Sequence, residues 1–191
     1  GNPARFPALL WSFREMVDRG GGRPVFYQVR SEYLPHYLDL GLSLLKLGEE
    51  AIIDLSRFSL EGGARANLRQ SAKKAEKQGL AFEVIPAGQI ATVIAELAEV
   101  SDDWLKAKRS EEKRFSVGHF DRCYLSQYDH AVLRHDGRIV AFANIWPSSD
   151  RREASVDLMR HLHDAPKGHM DFLFVQLLLW AKGQGYERFN L

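Results

Sequence analysis

Hydrophobic side chains recur along the chain at spacings that predict alternating helices and strands. Residues 6–18 form the first such segment, since their apolar positions lie one to four residues apart and three glycines follow at 20–22. Further helices are predicted at residues 34–40, 62–79, 89–106, 120–126 and 171–182. Strands are predicted at residues 24–30, 43–47, 51–55, 81–85, 128–135, 138–146, 153–160 and 186–191.

The order of these elements predicts a mixed α/β protein with two lobes. Asp136 and Gly137 separate two apolar runs and indicate a tight antiparallel hairpin. The second half reads strand, helix, helix, three strands, helix and strand, which favours a largely antiparallel sheet crossed once by a helix. The two lobes are expected to join near residues 57–83, where the composition turns basic.

Composition sets broad limits on the kind of protein. The 191 residues are 45% hydrophobic and 27% charged, which excludes a collagen-like, low-complexity or fully disordered chain. The longest apolar stretch, residues 172–181, is shorter than the roughly 20 residues that span a bilayer. The sole cysteine, Cys123, cannot form an intramolecular disulfide, and we expect a buried structural thiol. The chain begins without methionine or an apolar leader, so we expect a piece of a longer protein.

Charge is unevenly distributed although the totals nearly balance, at 26 basic and 25 acidic residues. Residues 57–79 carry six basic and two acidic side chains, and residues 106–114 carry five and two. Four basic residues of the predicted helix 62–79 recur every fourth position, opposite Leu68, Ala72 and Ala75: Arg65, Arg69, Lys73 and Lys77. Such a stripe is either a solvated helix face or a track for nucleic-acid phosphates.

The chain lacks the sequence motifs of several enzyme classes. The chain has no Gly-x-Ser-x-Gly elbow and no Gly-x-x-x-x-Gly-Lys-Ser/Thr phosphate loop. His161, His163 and His169 lie around Asp164, but their spacing fits no standard zinc pattern. No metal site is therefore predicted.

The order of strands and helices in the second half resembles the acetyltransferase-like (GNAT) fold. In the acetyl-CoA enzymes of that fold, the loop before the helix offers backbone amides to a pyrophosphate. Here that loop contains Pro166, which has no N–H, and Asp171 adds a negative charge near the helix start. Acetyl-CoA binding is therefore disfavoured.

Three sequence blocks, in order, resemble one family within this fold. They are residues 112–121 (EKRFSVGHFD), 156–160 (VDLMR) and 166–173 (PKGHMDFL). They are similar to the C-terminal catalytic domain of phosphatidylglycerol lysyltransferase, also called multiple peptide resistance factor. Residues 65–75 (RANLRQSAKKA) resemble the basic helix between the two lobes of that family. The resemblance extends from about residue 24 to residue 191.

The resemblance implies tandem GNAT-like lobes. Residues 1–82 would be a partial first lobe ending in the basic connecting helix 62–79. Residues 83–191 would be the second, catalytic lobe, lacking its C-terminal part. Such enzymes move an aminoacyl group, usually lysyl and in some members alanyl, from aminoacyl-tRNA to the glycerol headgroup of phosphatidylglycerol, and they need no cofactor.

The resemblance also implies a cellular setting. The product changes the charge of the membrane lipid and gives resistance to cationic antimicrobial peptides. The domain would lie at the cytoplasmic face of the bacterial plasma membrane, attached to a membrane domain of the parent chain.

Asp157 and Arg160 are the predicted catalytic residues. Asp157 would act as general base or would hold the α-ammonium of the lysyl group, and Arg160 would bind a phosphate or the oxyanion. Side chains three positions apart point to opposite faces of a regular strand. The two can therefore face one site only if a bulge intervenes or the strand ends before Arg160.

Further residues are expected to bind the substrates. Glu112, Lys113 and Arg114 would line the donor pocket, or would form a solvated charge cluster. Asp171 would contact the lysyl group, or would cap a helix. The predicted tRNA-binding residues lie on the basic helix: Arg65, Arg69, Lys73, Lys74 and Lys77.

Two alternative functions remain open from the sequence. One is a peptidoglycan-type transferase that uses aminoacyl-tRNA and an amine acceptor. The other is a non-catalytic lobe that binds tRNA or an anionic membrane surface through its basic stripe.

Overall fold

A computed structural model describes residues 3–112 and 118–191. The chain divides into two compact units, residues 1–49 and residues 50–191. None of the helices within the described ranges is long and apolar enough to cross a membrane.

The first unit is helical. Helix α1 (Phe6–Arg19) and the short helix α2 (Leu34–Asp39) enclose a small core of Leu10, Tyr37 and Leu40. The predicted strands at residues 24–30 and 43–47 are wrong, because the described residues 21–50 contain no strand. Their alternating residues indicate extended backbone, but a strand also needs a neighbour to which it can hydrogen-bond.

The second unit contains one six-stranded sheet in the order β1-β6-β5-β4-β3-β2. Its strands are β1 (Ile52–Asp54), β2 (Ala81–Ile85), β3 (His130–His135), β4 (Arg138–Pro147), β5 (Glu153–His161) and β6 (Arg188–Asn190). All neighbours are antiparallel except β5 and β6. The expected mixed α/β class with a largely antiparallel sheet is thereby confirmed.

In the described part of this unit, four α-helices accompany the sheet: α3 (Ala66–Lys77), α4 (Ile90–Lys108), α5 (Arg122–Leu125) and α6 (His169–Gly183). Helix α4 packs on β4 and β5, whereas α6 packs on β3, β4 and α3. Residues 139–145 of β4 are continuously buried, which is typical of a strand covered on both faces. Phe142, Phe172 and Phe189 are among the largest fully buried side chains of the resulting core.

The predicted hairpin between β3 and β4 is confirmed. Asp136 and Gly137 have φ angles of +51° and +80°. Two successive positive φ angles match the right-handed twist of the flanking strands, and an Asp-Gly pair adopts them readily. This hairpin sets the position of β4, the strand that borders the candidate site.

The boundary between the compact units lies after Glu49, whereas the lobe boundary was expected at residues 82/83. Strand β1 joins the main sheet because Ile53 pairs with Phe189 of β6, instead of pairing with residues 43–47. The basic helix α3 packs against α6 of the same unit. Long-range pairing therefore places residues 50–82 with the second unit.

Candidate active site

A bulge in β5 brings the two predicted catalytic residues to one side of the sheet. The pairing of Ala143 with Met159 is followed by that of Ile145 with Val156. Asp157 and Leu158 together therefore oppose the single residue Asn144, whose side-chain oxygen accepts a 2.7 Å hydrogen bond from the Leu158 amide. The bulge that a shared orientation requires is present.

The carboxylate of Asp157 accepts hydrogen bonds at both oxygens. The backbone N–H of Gly118 donates to Oδ1 at 2.8 Å, and the hydroxyl of Tyr124 donates to Oδ2. Asp121 caps helix α5, since its Oδ1 accepts from the Tyr124 amide at 2.8 Å. This cap positions Tyr124, so the orientation of Asp157 depends on the start of a one-turn helix.

The hydroxyl of Tyr124 also accepts two hydrogen bonds from β4. The donors are Nε1 of Trp146 at 2.9 Å and Nδ2 of Asn144 at 3.3 Å. Asn144 and Trp146 are two residues apart and therefore share one face of the strand. Burial, followed by the hydrogen bond to Asp157, raises the pKa of Tyr124 well above its ordinary value. The phenol therefore stays protonated and donates to the carboxylate.

Arg160 forms a buried ion pair with Glu112. The side chain is 4% exposed, and its Nη1 and Nη2 lie 2.9 and 2.7 Å from the two Glu112 oxygens. Nη1 also donates to the Ser101 hydroxyl at 2.6 Å, and the guanidinium carbon lies 5.1 Å from the centre of the Trp104 ring. Arginine forms such a bidentate pair with a carboxylate because its terminal N–H groups match the two carboxylate oxygens.

Glu112 also accepts a backbone hydrogen bond from Phe120, at 3.2 Å. Burial acts to raise the pKa of Glu112, but the hydrogen bonds from Arg160 and Phe120 and the Arg160 charge outweigh it and lower the pKa below its usual value. Glu112 is therefore ionised in the pair.

Arg160 and Asp157 of β5 contact residues that lie close together in the sequence. Arg160 holds Glu112, and Asp157 contacts Gly118 and Tyr124. The contact of Arg160 with Glu112 and the contacts of Asp157 with Gly118 and Tyr124 are therefore made from the same face of β5, while a joint role of these residues stays a prediction. Both nitrogens at the tip of the Arg160 guanidinium are engaged by protein oxygens. This geometry suits positioning of the segment, while the catalytic role of Arg160 stays a prediction.

Gly118, Tyr124, Asn144 and Trp146 belong to the site, but sequence reasoning assigned them no role. An ideal Cβ on Gly118 would lie 2.0 Å from Oδ2 of Asp157, so only glycine permits this approach. The signal for Gly118 was its place inside the block 112–121. Tyr124, Asn144 and Trp146 carried no local signal, because their contacts with Asp157 and with each other arise from the fold.

The remaining predicted substrate-binding residues lie elsewhere. Lys113 and Arg114 fall outside the described residues. Asp171 is exposed in the first turn of α6, and the N-cap is Gly168 with a φ of +82°, so the expectation that Asp171 caps this helix is wrong. No hydrogen bond among the described residues joins Asp171 to Asp157 or Arg160. Its role in binding the lysyl group stays a prediction.

The basic helix exposes most of its stripe. Ala72 and Ala75 are buried against the core, as expected, and four basic residues are exposed on α3 and just before it: Arg65, Lys73, Lys74 and Lys77. Arg69 differs, since it is half-buried and donates to the carbonyl oxygens of Leu60 and Gly62. Arg69 therefore anchors the loop before the helix, and the other four basic side chains are available to a partner.

Cys123 is exposed, which contradicts the expected buried thiol. It lies on the one-turn helix α5, whose buried position is taken by Leu125. Of the clustered histidines, His163 bonds to Asp103 at 2.9 Å, and the rings of His161 and His169 lie 4.6 Å apart. Within the described residues, no three His, Cys, Asp or Glu side chains form a possible metal site.

Comparison with known proteins identifies the family of the chain. The model of the family "Phosphatidylglycerol lysyltransferase, C-terminal" matches residues 1–191. The chain belongs to this family. Among curated relatives of this phosphatidylglycerol lysyltransferase family, the Bacillus subtilis enzyme is 40% identical and that of Staphylococcus aureus strain MRSA252 is 38% identical, each over 192 aligned residues. The resemblance predicted from the three blocks is thereby confirmed.

Solved structures of the family share the fold. The C-terminal domain of a lysylphosphatidylglycerol synthetase from Agrobacterium fabrum is 46% identical with a TM-score of 0.92. L-PGS from Bacillus licheniformis is 42% identical with a TM-score of 0.90. The chain is covered completely in all four comparisons. It spans 60% of each of these two solved chains, 22% of the Bacillus subtilis relative and 23% of the Staphylococcus aureus relative.

Proposed function

We propose that this chain is part of an enzyme that moves a lysyl group from aminoacyl-tRNA to the glycerol headgroup of phosphatidylglycerol. The observation that supports the proposal best is the match of the family model to all 191 residues. Identities of 38–46% with named lysyltransferases and synthetases, at full coverage of this chain, point to the same reaction.

The reaction exchanges one ester for another. A glycerol hydroxyl of the lipid attacks the carbonyl carbon of the aminoacyl ester, and the ribose oxygen of the tRNA leaves. The proton of the attacking hydroxyl passes to a base and then to the departing ribose oxygen. Because the aminoacyl ester is already activated, the reaction requires no cofactor or covalent enzyme intermediate.

Asp157 is the residue that we place at the reacting groups. Donors on Gly118 and Tyr124 hold its carboxylate in one orientation. In that orientation it would accept the proton of the lipid hydroxyl or hold the α-ammonium of the lysyl group. A carboxylate that is positioned before the substrate binds needs little rearrangement during the reaction.

Arg160 and Glu112 would position the segment that contacts Asp157. The Arg160 guanidinium would stabilise a phosphate or the oxyanion only if it exchanged one of its present partners for the ligand. Among the described residues its Nε is buried without a hydrogen-bond partner, so this N–H would reach a ligand only after a present partner had moved. Lys113, Arg114 and Asp171 complete the set that we expect to bind the donor.

Four exposed side chains supply the cationic surface that we propose for tRNA: Arg65, Lys73, Lys74 and Lys77. Contacts of this kind neutralise phosphates and give affinity without reading the sequence of the nucleic acid. Arg69 would support this surface indirectly, by holding the preceding loop.

The setting that we propose is the cytoplasmic face of the bacterial plasma membrane, where a membrane domain of the parent chain would hold the transferase next to its lipid acceptor. Lysine added to phosphatidylglycerol would make the lipid charge more positive. Such a change would weaken the attraction of cationic antimicrobial peptides.

The test is lipid labelling by the parent chain. Vesicles that contain phosphatidylglycerol are incubated with tRNA charged with radiolabelled lysine or alanine, and the lipids are separated by thin-layer chromatography. We expect labelled lysyl-phosphatidylglycerol from the wild type and a loss of at least 100-fold in D157N. D136N is the matched control, because Asp136 is an exposed turn residue and asparagine tolerates its positive φ.

The outcomes separate the proposed function from the alternatives. Label on an amine acceptor without label on the lipid would identify a peptidoglycan-type transferase. Binding of tRNA without transfer to either acceptor would indicate a non-catalytic lobe. A response to alanyl-tRNA alone would retain the reaction but change the aminoacyl group.

A further inference from the structure

Three aromatic side chains form a surface next to Asp157, which we call the aromatic ledge: Tyr124, Tyr128 and Trp146. The ring centres of Tyr124 and Tyr128 are 5.2 Å apart, and those of Tyr128 and Trp146 are 6.2 Å apart. Trp146 is 44% exposed, although residues 139–145 just before it in β4 are buried. A large aromatic face is therefore open beside the candidate site.

The polar edge of Trp146 is already engaged. Its indole N–H donates to the hydroxyl of Tyr124 at 2.9 Å. Indole has no second donor or acceptor that could read a ligand. A ligand at Trp146 is therefore recognised by the ring face, through stacking of a flat π-system.

The exposed face of Trp146 lies close to Asp157, the residue that we place at the reacting groups. One hydrogen bond joins Asp157 to Tyr124, and a second joins Tyr124 to Trp146. The edge of the indole ring therefore lies about two hydrogen-bond lengths from the carboxylate. In aminoacyl-tRNA the reacting ester is attached to the ribose of the terminal adenosine, so the adenine lies within one nucleotide of the ester carbon.

Charge favours the adenine ring over the lysyl ammonium as the ligand of the exposed Trp146 face. An ammonium group near the ledge has the Asp157 carboxylate within reach, and an ion pair with a carboxylate is stronger than a cation–π contact at an exposed ring. The Trp146 face is then available for stacking with an uncharged ring.

We propose that the exposed face of Trp146 stacks on the 3′-terminal adenine of the tRNA, an inference that rests on the proposed aminoacyl-tRNA donor. Stacking on this face orients the terminal ribose so that its ester meets Asp157. Tyr128 supports the indole from the side, and Tyr124 fixes its angle through the shared hydrogen bond.

The test compares two RNA stem-loops that differ only at the last nucleotide. One ends in the cytidine-cytidine-adenosine of tRNA, and the other carries an abasic ribose in place of the terminal adenosine. Binding of each to the parent chain is measured by fluorescence anisotropy. We expect the abasic end to weaken binding by about ten-fold in the wild type.

The matching protein variants are W146L and W146F. W146L removes the aromatic face and should bind the adenine-ended RNA about ten-fold more weakly, without any change for the abasic RNA. W146F keeps an aromatic face and should lose less. W11L is the control, since Trp11 is also exposed but belongs to the first unit.

The readout is binding, so it does not depend on lipid transfer. Equal affinity of the wild type for the two RNA ends overturns the stacking proposal, and so does an equal loss for both RNAs in W146L. Loss confined to the adenine-ended RNA supports it, even if lipid labelling identifies another acceptor. Failure of the proposed acceptor and failure of the stacking contact are therefore distinguished.

Discussion

The backbone N–H of Gly118 donates to Oδ1 of Asp157 at 2.8 Å, and no space remains beside this contact for a side chain. A methyl group at position 118 would lie 2.0 Å from Oδ2 of Asp157 and 3.2 Å from a ring carbon of Tyr124. The absence of a side chain at this position therefore allows the segment before α5 to approach β5.

We expect G118A to displace the Asp157 carboxylate. The clash breaks the hydrogen bond or moves the segment, at a cost of about 1–3 kcal/mol in the free energy of unfolding. Lysyl transfer by the parent chain should fall more than stability does, because the carboxylate loses its orientation. Urea unfolding and lipid labelling measure the two effects.

The control is G88A. A Cβ on Gly88 meets nothing within 4 Å, and its φ is not positive, so alanine should leave stability and transfer unchanged. If G118A matched this control in both measurements, the close approach of Gly118 to Asp157 would contribute neither to stability nor to the proposed transfer.

Replacement of Tyr124 by phenylalanine tests the centre of the hydrogen-bond network. Y124F leaves Oδ2 of Asp157 without a donor and Nε1 of Trp146 without an acceptor. We expect a loss of about 1–3 kcal/mol in the free energy of unfolding and a clear fall in transfer. Circular dichroism during urea titration gives the first quantity.

The raised pKa of Tyr124 predicts a difference at alkaline pH. In the unfolded chain a tyrosine loses its proton near pH 10, whereas burial and the bond to Asp157 keep Tyr124 protonated in the folded protein. The unfolded state therefore releases a proton first, and stability falls as the pH rises above about 10. The wild type should lose more stability than Y124F between pH 9 and about 11; equal slopes would contradict the assignment.

Periodicity along the chain predicted most of the sheet but not the network around Asp157. Alternation and the Asp136-Gly137 turn are local signals, so the β3–β4 hairpin could be located from neighbouring residues alone. Tyr124 and Asp157 are 33 positions apart, and only the folded sheet brings them together. The same limit applies to Trp146, which is linked to Asp157 through the Tyr124 hydroxyl.

Two further differences between the predicted and the observed structure also arise from contacts between distant parts of the chain. The bulge at Asp157 was foreseen as a condition, but an extra residue in β5 is visible only against its partner Asn144 in β4. Conversely, residues 24–30 have a strand-like pattern without a partner strand. The local pattern of residues sets the tendency of a segment to form a strand, and pairing with a distant strand decides whether the strand forms.

The buried pair of Arg160 and Glu112 predicts a large effect when one charge is removed. R160M keeps much of the side-chain volume but leaves the Glu112 carboxylate without its main partner. We expect a loss of about 3 kcal/mol in the free energy of unfolding, at the low end for buried pairs because Glu112 retains some exposure. The double variant R160M/E112Q should recover part of this loss.

R134M is the matched control for R160M. Arg134 also contacts two carboxylates, those of Glu83 and Glu96 at 2.6 and 3.2 Å, but its surroundings are more exposed. R134M should lose about 1 kcal/mol or less in the free energy of unfolding. Equal losses in R134M and R160M would show that burial of the Arg160 pair adds nothing.

Acid should weaken the same pair. The bonds from Arg160 and Phe120 lower the pKa of Glu112 against the effect of burial, so the unfolded chain takes up a proton before the folded protein does. The contribution of Glu112 is therefore present above about pH 4.3 and is lost as the pH falls below that value. Between pH 5 and about 3, E112Q should lose less stability than the wild type, measured by urea unfolding at each pH.

The basic helix predicts how the proposed binding of tRNA depends on salt. If Lys73, Lys74 and Lys77 each neutralise one phosphate, the triple glutamine variant should reduce the slope of log affinity against log salt by about 2–3. R69Q should act differently, because Arg69 holds the carbonyls of Leu60 and Gly62 and its loss should lower stability. R152Q removes an exposed basic residue in the turn between β4 and β5, outside the basic helix, and should leave the slope unchanged. An unchanged slope in the triple variant would exclude this helix face as the phosphate contact.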